Sequence, residues 1–121
     1  MIMTVLAVHP GEVPVKLELS STLESMQDFV GGTIQAIYPF DDAVAIICND
    51  EGKMLGMPYN RVLRDEDGQA YEVLCGPFFI CGLGDEDFAS LTEVQLETYY
   101  KFFEHPELFL SAGGKLMVVQ I

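Results

Sequence analysis

Asn49-Asp50-Glu51-Gly52-Lys53 packs an amide, two acids and a base into five residues, and Asn60-Arg61 with Arg64 follows within one turn or strand. With Glu51 as a general base, and Lys53 and Arg61 stabilising a charged transition state, the loop 49–64 would suit a metal-independent nuclease. The segment lacks the ligand spacing and closing glutamate of a calcium loop. It also lacks the glycine frame and Lys-Ser/Thr pair of a phosphate-binding loop. A hairpin turn uses the same residue types for their backbone angles alone. Asn60, Arg61 and Arg64 suit a small anion or carboxylate site. Pairing with the neighbouring Asp65, Glu66 and Asp67 is the structural alternative, favoured by the acidity of the chain.

His9 and His105 each precede a proline, and neither has a metal-ligand spacing to a cysteine or to the other histidine. Cys48, Cys75 and Cys81 sit in apolar runs at irregular spacing. They read as reduced core thiols, with no disulfide framework and no exposed, activated nucleophile. No metal site and no cofactor is expected from this pattern.

The carboxylates speak louder. Nineteen acids face six bases, for a formal charge of −13. Such an excess costs stability by self-repulsion and points to use against a cationic partner. Residues 1–64 hold eight acids and four bases, whereas residues 65–121 hold eleven acids and two bases. Asp85-Glu86-Asp87 reads as the acidic entry to a helical stretch. Glu93, Glu97, Lys101 and Glu104 recur at helical spacing, and Glu107 continues the run. Helical turns set such groups about 5–6 Å apart, comparable with the phosphates of a nucleic-acid strand. Asp85, Glu86, Asp87, Glu93, Glu97, Glu104 and Glu107 are therefore the candidate partner-binding residues, and Asn49, Asp50, Glu51, Lys53, Asn60 and Arg61 a candidate secondary site.

The same balance disfavours direct contact with nucleic acid or an anionic membrane, both of which need Lys and Arg. The 50% hydrophobic content argues against disorder. No apolar run reaches spanning length and no basic leader precedes the first apolar segment. The expected location is the cytosol.

The elements that must hold these groups follow from periodicity. Ile2–Val8 reads as a buried strand and Val13–Leu19 as its half-buried hairpin partner. Ser21 with Glu24 gives a capping box for a short helix carrying Leu23, Met26, Phe29 and Val30, which Gly31-Gly32 ends. Thr33–Tyr38 and Ala43–Cys48 form a hairpin through Pro39-Phe40-Asp41-Asp42, expected at the centre of the sheet. Met54–Leu63 is mixed; Tyr71–Leu74 and Phe78–Leu83 are strands around Gly76-Pro77. The longest helix starts at Leu91 or Thr92 and runs to about His105, with Leu96, Tyr99, Tyr100 and Phe103 as its apolar stripe. Pro106 breaks it, Glu107–Leu110 adds a helical turn, and Lys115–Ile121 is a last strand. The sum is one domain, residues 1–121, of α+β class: a mostly antiparallel, curved sheet of about six strands with one or two helices packed on it.

Several segments taken in order carry a resemblance: Val30-Gly31-Gly32-Thr33-Ile34-Gln35, Ile46 to Lys53, Pro58-Tyr59-Asn60-Arg61, Cys75 to Ile80, and Phe88-Ala89-Ser90-Leu91-Thr92. Together they resemble a domain-of-unknown-function family of small proteins from phages, plasmids and conjugative elements of Gram-positive gut bacteria. The resemblance supplies no catalytic residues. It implies a mobile-element context, in which acidic inhibitors of restriction or CRISPR nucleases occur. The leading expectation is thus a non-enzymatic inhibitor that binds the basic surface of a nucleic-acid-processing complex in the host cytosol. The alternatives are a small nuclease built on the loop 49–64 and an accessory protein that self-associates through an exposed sheet edge.

Overall fold

The computed structural model describes residues 1–121, with two helices and ten strands. The strands are β1 (Ile2–Val8), β2 (Val15–Ser20), β3 (Ile34–Ile37), β4 (Val44–Asn49), β5 (Tyr59–Arg64), β6 (Ala70–Cys75), β7 (Phe78–Leu83), β8 (Phe88–Ala89), β9 (Glu107–Ala112) and β10 (Lys115–Gln120). The helices are α1 (Leu23–Val30) and α2 (Glu93–Phe103). The main sheet has the order β2-β1-β7-β4-β3, with β8 paired to the end of β7. β5 with β6 and β9 with β10 form separate two-stranded sheets. Every pairing is antiparallel.

β1, β4 and β7 are near-continuously apolar because both faces of the sheet are covered. Side chains alternate between the two faces. Leu6, Val8, Val44, Ile46, Phe78 and Ile80 face a layer made by α2 and by Leu63 and Leu74 of the β5–β6 hairpin. Met3, Val5, Ala45, Ile47, Phe79 and Cys81 face α1 through Met26 and Phe29. The expected β1–β2 hairpin is present, with Ile2 opposite Ser20 and Ala7 opposite Val15.

The caps are local. Thr22, one residue after the expected Ser21, accepts from the Ser25 N–H to start α1. Gly31 ends that helix at a φ of 81°, where a side chain would be strained. Thr92 and Gln95 close a full capping box at the start of α2.

Three expectations are corrected. The β3–β4 hairpin is not the centre of the sheet: β3 is its edge and β7 its middle, because β7 returns between β1 and β4. β6 and β7 flank Gly76-Pro77, as expected, and belong to different sheets. Asp85–Asp87 does not open a helix; it is the turn that folds β8 back on β7, with Gly82 opposite Ala89. Glu107–Leu110 is not a helical turn but the start of β9, whose Leu108 and Phe109 find partners at Val119 and Val118. In the last two cases strand partners distant from the local helix signal decide the conformation.

Candidate functional site

The main-chain register brings two acidic turns together. Val44 lies opposite Gly82, and the Leu83 N–H donates to the Ala43 carbonyl at 3.0 Å. The turn containing Asp41 and Asp42 therefore sits beside the turn containing Asp85, Glu86 and Asp87. All five residues are exposed, and none takes part in an ion pair. Two of them are fixed by hydrogen bonds. Asp87 Oδ1 accepts from its neighbouring Phe88 N–H at 2.7 Å. Asp42 Oδ1 accepts from the Ala43 N–H at 2.7 Å and from Gln95 Nε2 at 3.3 Å, while its Oδ2 accepts from the Tyr99 hydroxyl at 2.7 Å. The Tyr99 bond first, then the Ala43 N–H, hold the Asp42 carboxyl below its usual range. Burial, then the same carboxylate, push the Tyr99 phenol up.

No Lys or Arg occurs between Arg64 and Lys101, a stretch that supplies Asp85, Glu86, Asp87, Glu93 and Glu97. The remaining predicted contacts do not form one strip with the turns. Glu93 and Glu97 line a groove of about 460 Å³ beside α2, together with Leu6, Lys16, Val94 and Tyr100. Glu97 is also paired with Lys101 at 3.1 Å. Glu104, at the C-cap of α2, lies 3.8 Å from His105. Glu107 is in the interior: Oε1 accepts from the Val62 N–H and Oε2 pairs with Arg64, each at 2.9 Å. It is committed to tying β9 to β5 and is withdrawn from the exposed set. Tyr100, assigned to the buried stripe, is exposed on the groove side, while Leu96, Tyr99 and Phe103 are buried.

The secondary site divides. Asn49, Asp50, Glu51 and Lys53 line a cavity of about 280 Å³ with Cys48 and Glu72. Asn49 Nδ2 donates to the Val30 carbonyl and its Oδ1 accepts from the Glu51 N–H, so this residue holds the end of α1 to the turn. Lys53 Nζ is paired with Glu72 at 2.6 Å. Asn60 and Arg61 are buried elsewhere. Asn60 Nδ2 donates to the carbonyls of Val8 and Gly76. The Arg61 guanidinium donates to the carbonyls of Phe103, Asn60 and Glu12 and to Asn60 Oδ1. Burial pulls the Arg61 pKa down, against the opposing pull of Glu107; the group remains a cation. Its expected pairing with Asp65, Glu66 or Asp67 is replaced by carbonyls, and Arg64 turns to Glu107 instead. Glu51 and Arg61 thus do not share a site, and the constellation required for the nuclease reading is not assembled. Burial, reinforced by the charges of Glu72 and Asp50, pushes the Cys48 thiol up to about 11. At neutral pH it is protonated and a poor nucleophile.

The contribution of Asp41 and Asp42 was hidden in the sequence. Their turn signal is plain, but their place beside residues 85–87 depends on the pairing of Val44 with Gly82, distant in the chain.

A family model described as a domain of unknown function, DUF3846, matches residues 3–104. The chain belongs to the DUF3846 family. No curated protein and no solved structure matches it. The DUF3846 segment ends at the C-cap of α2. It includes both acidic turns and the groove beside α2, and leaves the β9–β10 hairpin outside. No helix is long and apolar enough to cross a membrane.

Proposed function

We propose that this DUF3846 protein is a non-catalytic binder of a cationic protein surface, with Asp41, Asp42, Asp85, Glu86 and Asp87 as the docking end and Glu93 and Glu97 as a flanking contact. The observation that carries the reading is the meeting of five exposed carboxylates on two adjoining turns, without a cation to neutralise them. Neighbouring strands lie about 4.8 Å apart, so the turns concentrate charge more densely than either alone. Anchoring of Asp42 by Tyr99 and Gln95 keeps part of that charge fixed before binding, which lowers the ordering cost of association.

The partner class is a basic nucleic-acid-processing complex in the host bacterial cytosol. The positive channel of an RNA-guided nuclease, or the groove of a restriction enzyme, has the matching field. The resemblance to proteins of phages, plasmids and conjugative elements supports an inhibitory role by nucleic-acid mimicry. The test is capture of such an enzyme by the wild type and by an Asp41→Lys/Asp85→Lys/Glu86→Lys variant, at low and high salt. Weaker capture by the folded variant, and loss of wild-type capture with salt, are expected. Equal capture by both proteins removes the proposal.

A further inference from the structure

The β9–β10 hairpin carries an apolar face with nothing packed on it. Leu108 stands opposite Val119, and Leu110 opposite Met117. Directly opposed residues share one face of a pleated pair. These four side chains are 47%, 48%, 45% and 53% exposed, respectively. The other face is used: Phe109 stacks on Tyr59 with ring centroids 5.2 Å apart, and Leu116 lines a depression with Met57 and Pro58. The hairpin pairs with no further strand. A two-stranded sheet with one uncovered apolar face is marginal on its own, and an exposed patch of this kind marks an interaction site.

We propose that this face is the contact between two copies of the chain, stacked about a two-fold axis with Leu108, Leu110, Met117 and Val119 of each copy against those of the other. The charge pattern selects a second copy. Two molecules of formal charge −13 repel wherever their acids meet, but residues 108–121 contain no Asp or Glu, and Lys115 is their only charged side chain. A cationic partner of the kind that suits the acidic turns finds no carboxylate here. The face is also self-complementary, as an isologous contact requires: rotation about the axis sets aliphatic groups against aliphatic groups, while Lys115, opposite Ala112 at the turn end of the same face, stays at the rim in water. Six residues per strand make a face about 20 Å long. Stacking two such faces, each only two strands wide, covers less than a standard interface, which places the contact among weak, reversible complexes. The dimer is therefore concentration-dependent and carries two copies of the acidic end.

Sedimentation of the purified chain from micromolar to millimolar concentration tests this. The mass should rise from the 13.4 kDa of one chain towards twice that value. Added salt should strengthen the association, because it screens the repulsion between acidic copies and leaves apolar contact intact. Leu110→Glu/Met117→Glu should stay monomeric throughout, with an unchanged urea midpoint, since both positions face solvent in one copy. A second variant keeps the test decisive should that pair unfold: Leu110→Cys should form a disulfide-linked dimer under mild oxidation, whereas Asp28→Cys, exposed on α1, should not. A wild type that stays monomeric at every concentration and salt overturns the proposal. So does a folded double variant that still dimerises, or equal cross-linking by the two cysteine variants.

Discussion

The Tyr99 hydroxyl donates to Asp42 Oδ2 at 2.7 Å, joining the middle of α2 to the turn between β3 and β4. The bond links a buried helix position to an exposed carboxylate of the acidic end. It thereby couples the packing of one layer to the presentation of charge on another.

Tyr99→Phe should raise the pKa of Asp42 and loosen its turn. The folded-state pKa of Asp42 is depressed, so its stabilising contribution is present above the unfolded value of about 3.9. That contribution disappears as pH falls through the lower folded value. Urea denaturation should therefore show the wild type more stable than Tyr99→Phe at pH 6, with the gap closing on acidification below about pH 4. A gap that persists unchanged at pH 2 would rule out the hydrogen bond as its source.

Arg61→Met should destabilise the protein by about 3 kcal/mol, within the range for stranding several buried acceptors. The guanidinium donates to carbonyls of Phe103, at the end of α2, and Glu12, in the β1–β2 connection. Chemical denaturation gives the number. Since Arg61 is remote from the acidic turns in its contacts, the folded variant should retain partner capture; loss of capture without loss of structure would restore Arg61 to the binding machinery.

Glu107→Gln keeps an acceptor for the Val62 N–H but removes the charge facing Arg64. A loss of about 1 kcal/mol is expected, and about twice that for Glu107→Ala, which strands both donors. Amide exchange at Val62 should accelerate in the alanine variant and not in the glutamine variant. Equal exchange in the two would show that the carboxyl is not the partner that protects this N–H.

The thiols should resist labelling in the native state. Burial pushes Cys48 up to about 11 and Cys81 up to about 12, with nearby acids adding to each shift. At pH 8 a thiol reagent should report them only as fast as the protein opens, with full reaction in denaturant. Immediate labelling of either residue in the folded protein would contradict the buried, protonated assignment.

Much of the secondary structure is legible locally. The β1–β2 hairpin, α1 with its glycine stop and α2 with its Thr92 start each follow from patterns within a few residues. Where a segment's conformation rests on a distant partner, local signals mislead. Glu107 to Leu110 follows a proline and looks like a resumed helix, yet it pairs with residues 117–120. Asn60-Arg61 looks like a ligand site, yet both side chains serve carbonyls, including those of Val8 and Phe103, that no sequence spacing announces.

Composition determined the sign and size of the charge, and the local order of residues determined the apolar strands and the α+β class, because these depend on residue type and on periods of two or 3.6 residues. Tertiary structure decided which acids share a surface. The return of β7 between β1 and β4 places Asp41 and Asp42 beside residues 85–87, while Glu107 is drawn inside by Val62 and Arg64. Long-range hydrogen bonding chooses among strand orders that local pattern leaves equivalent, and that choice distributes the charge.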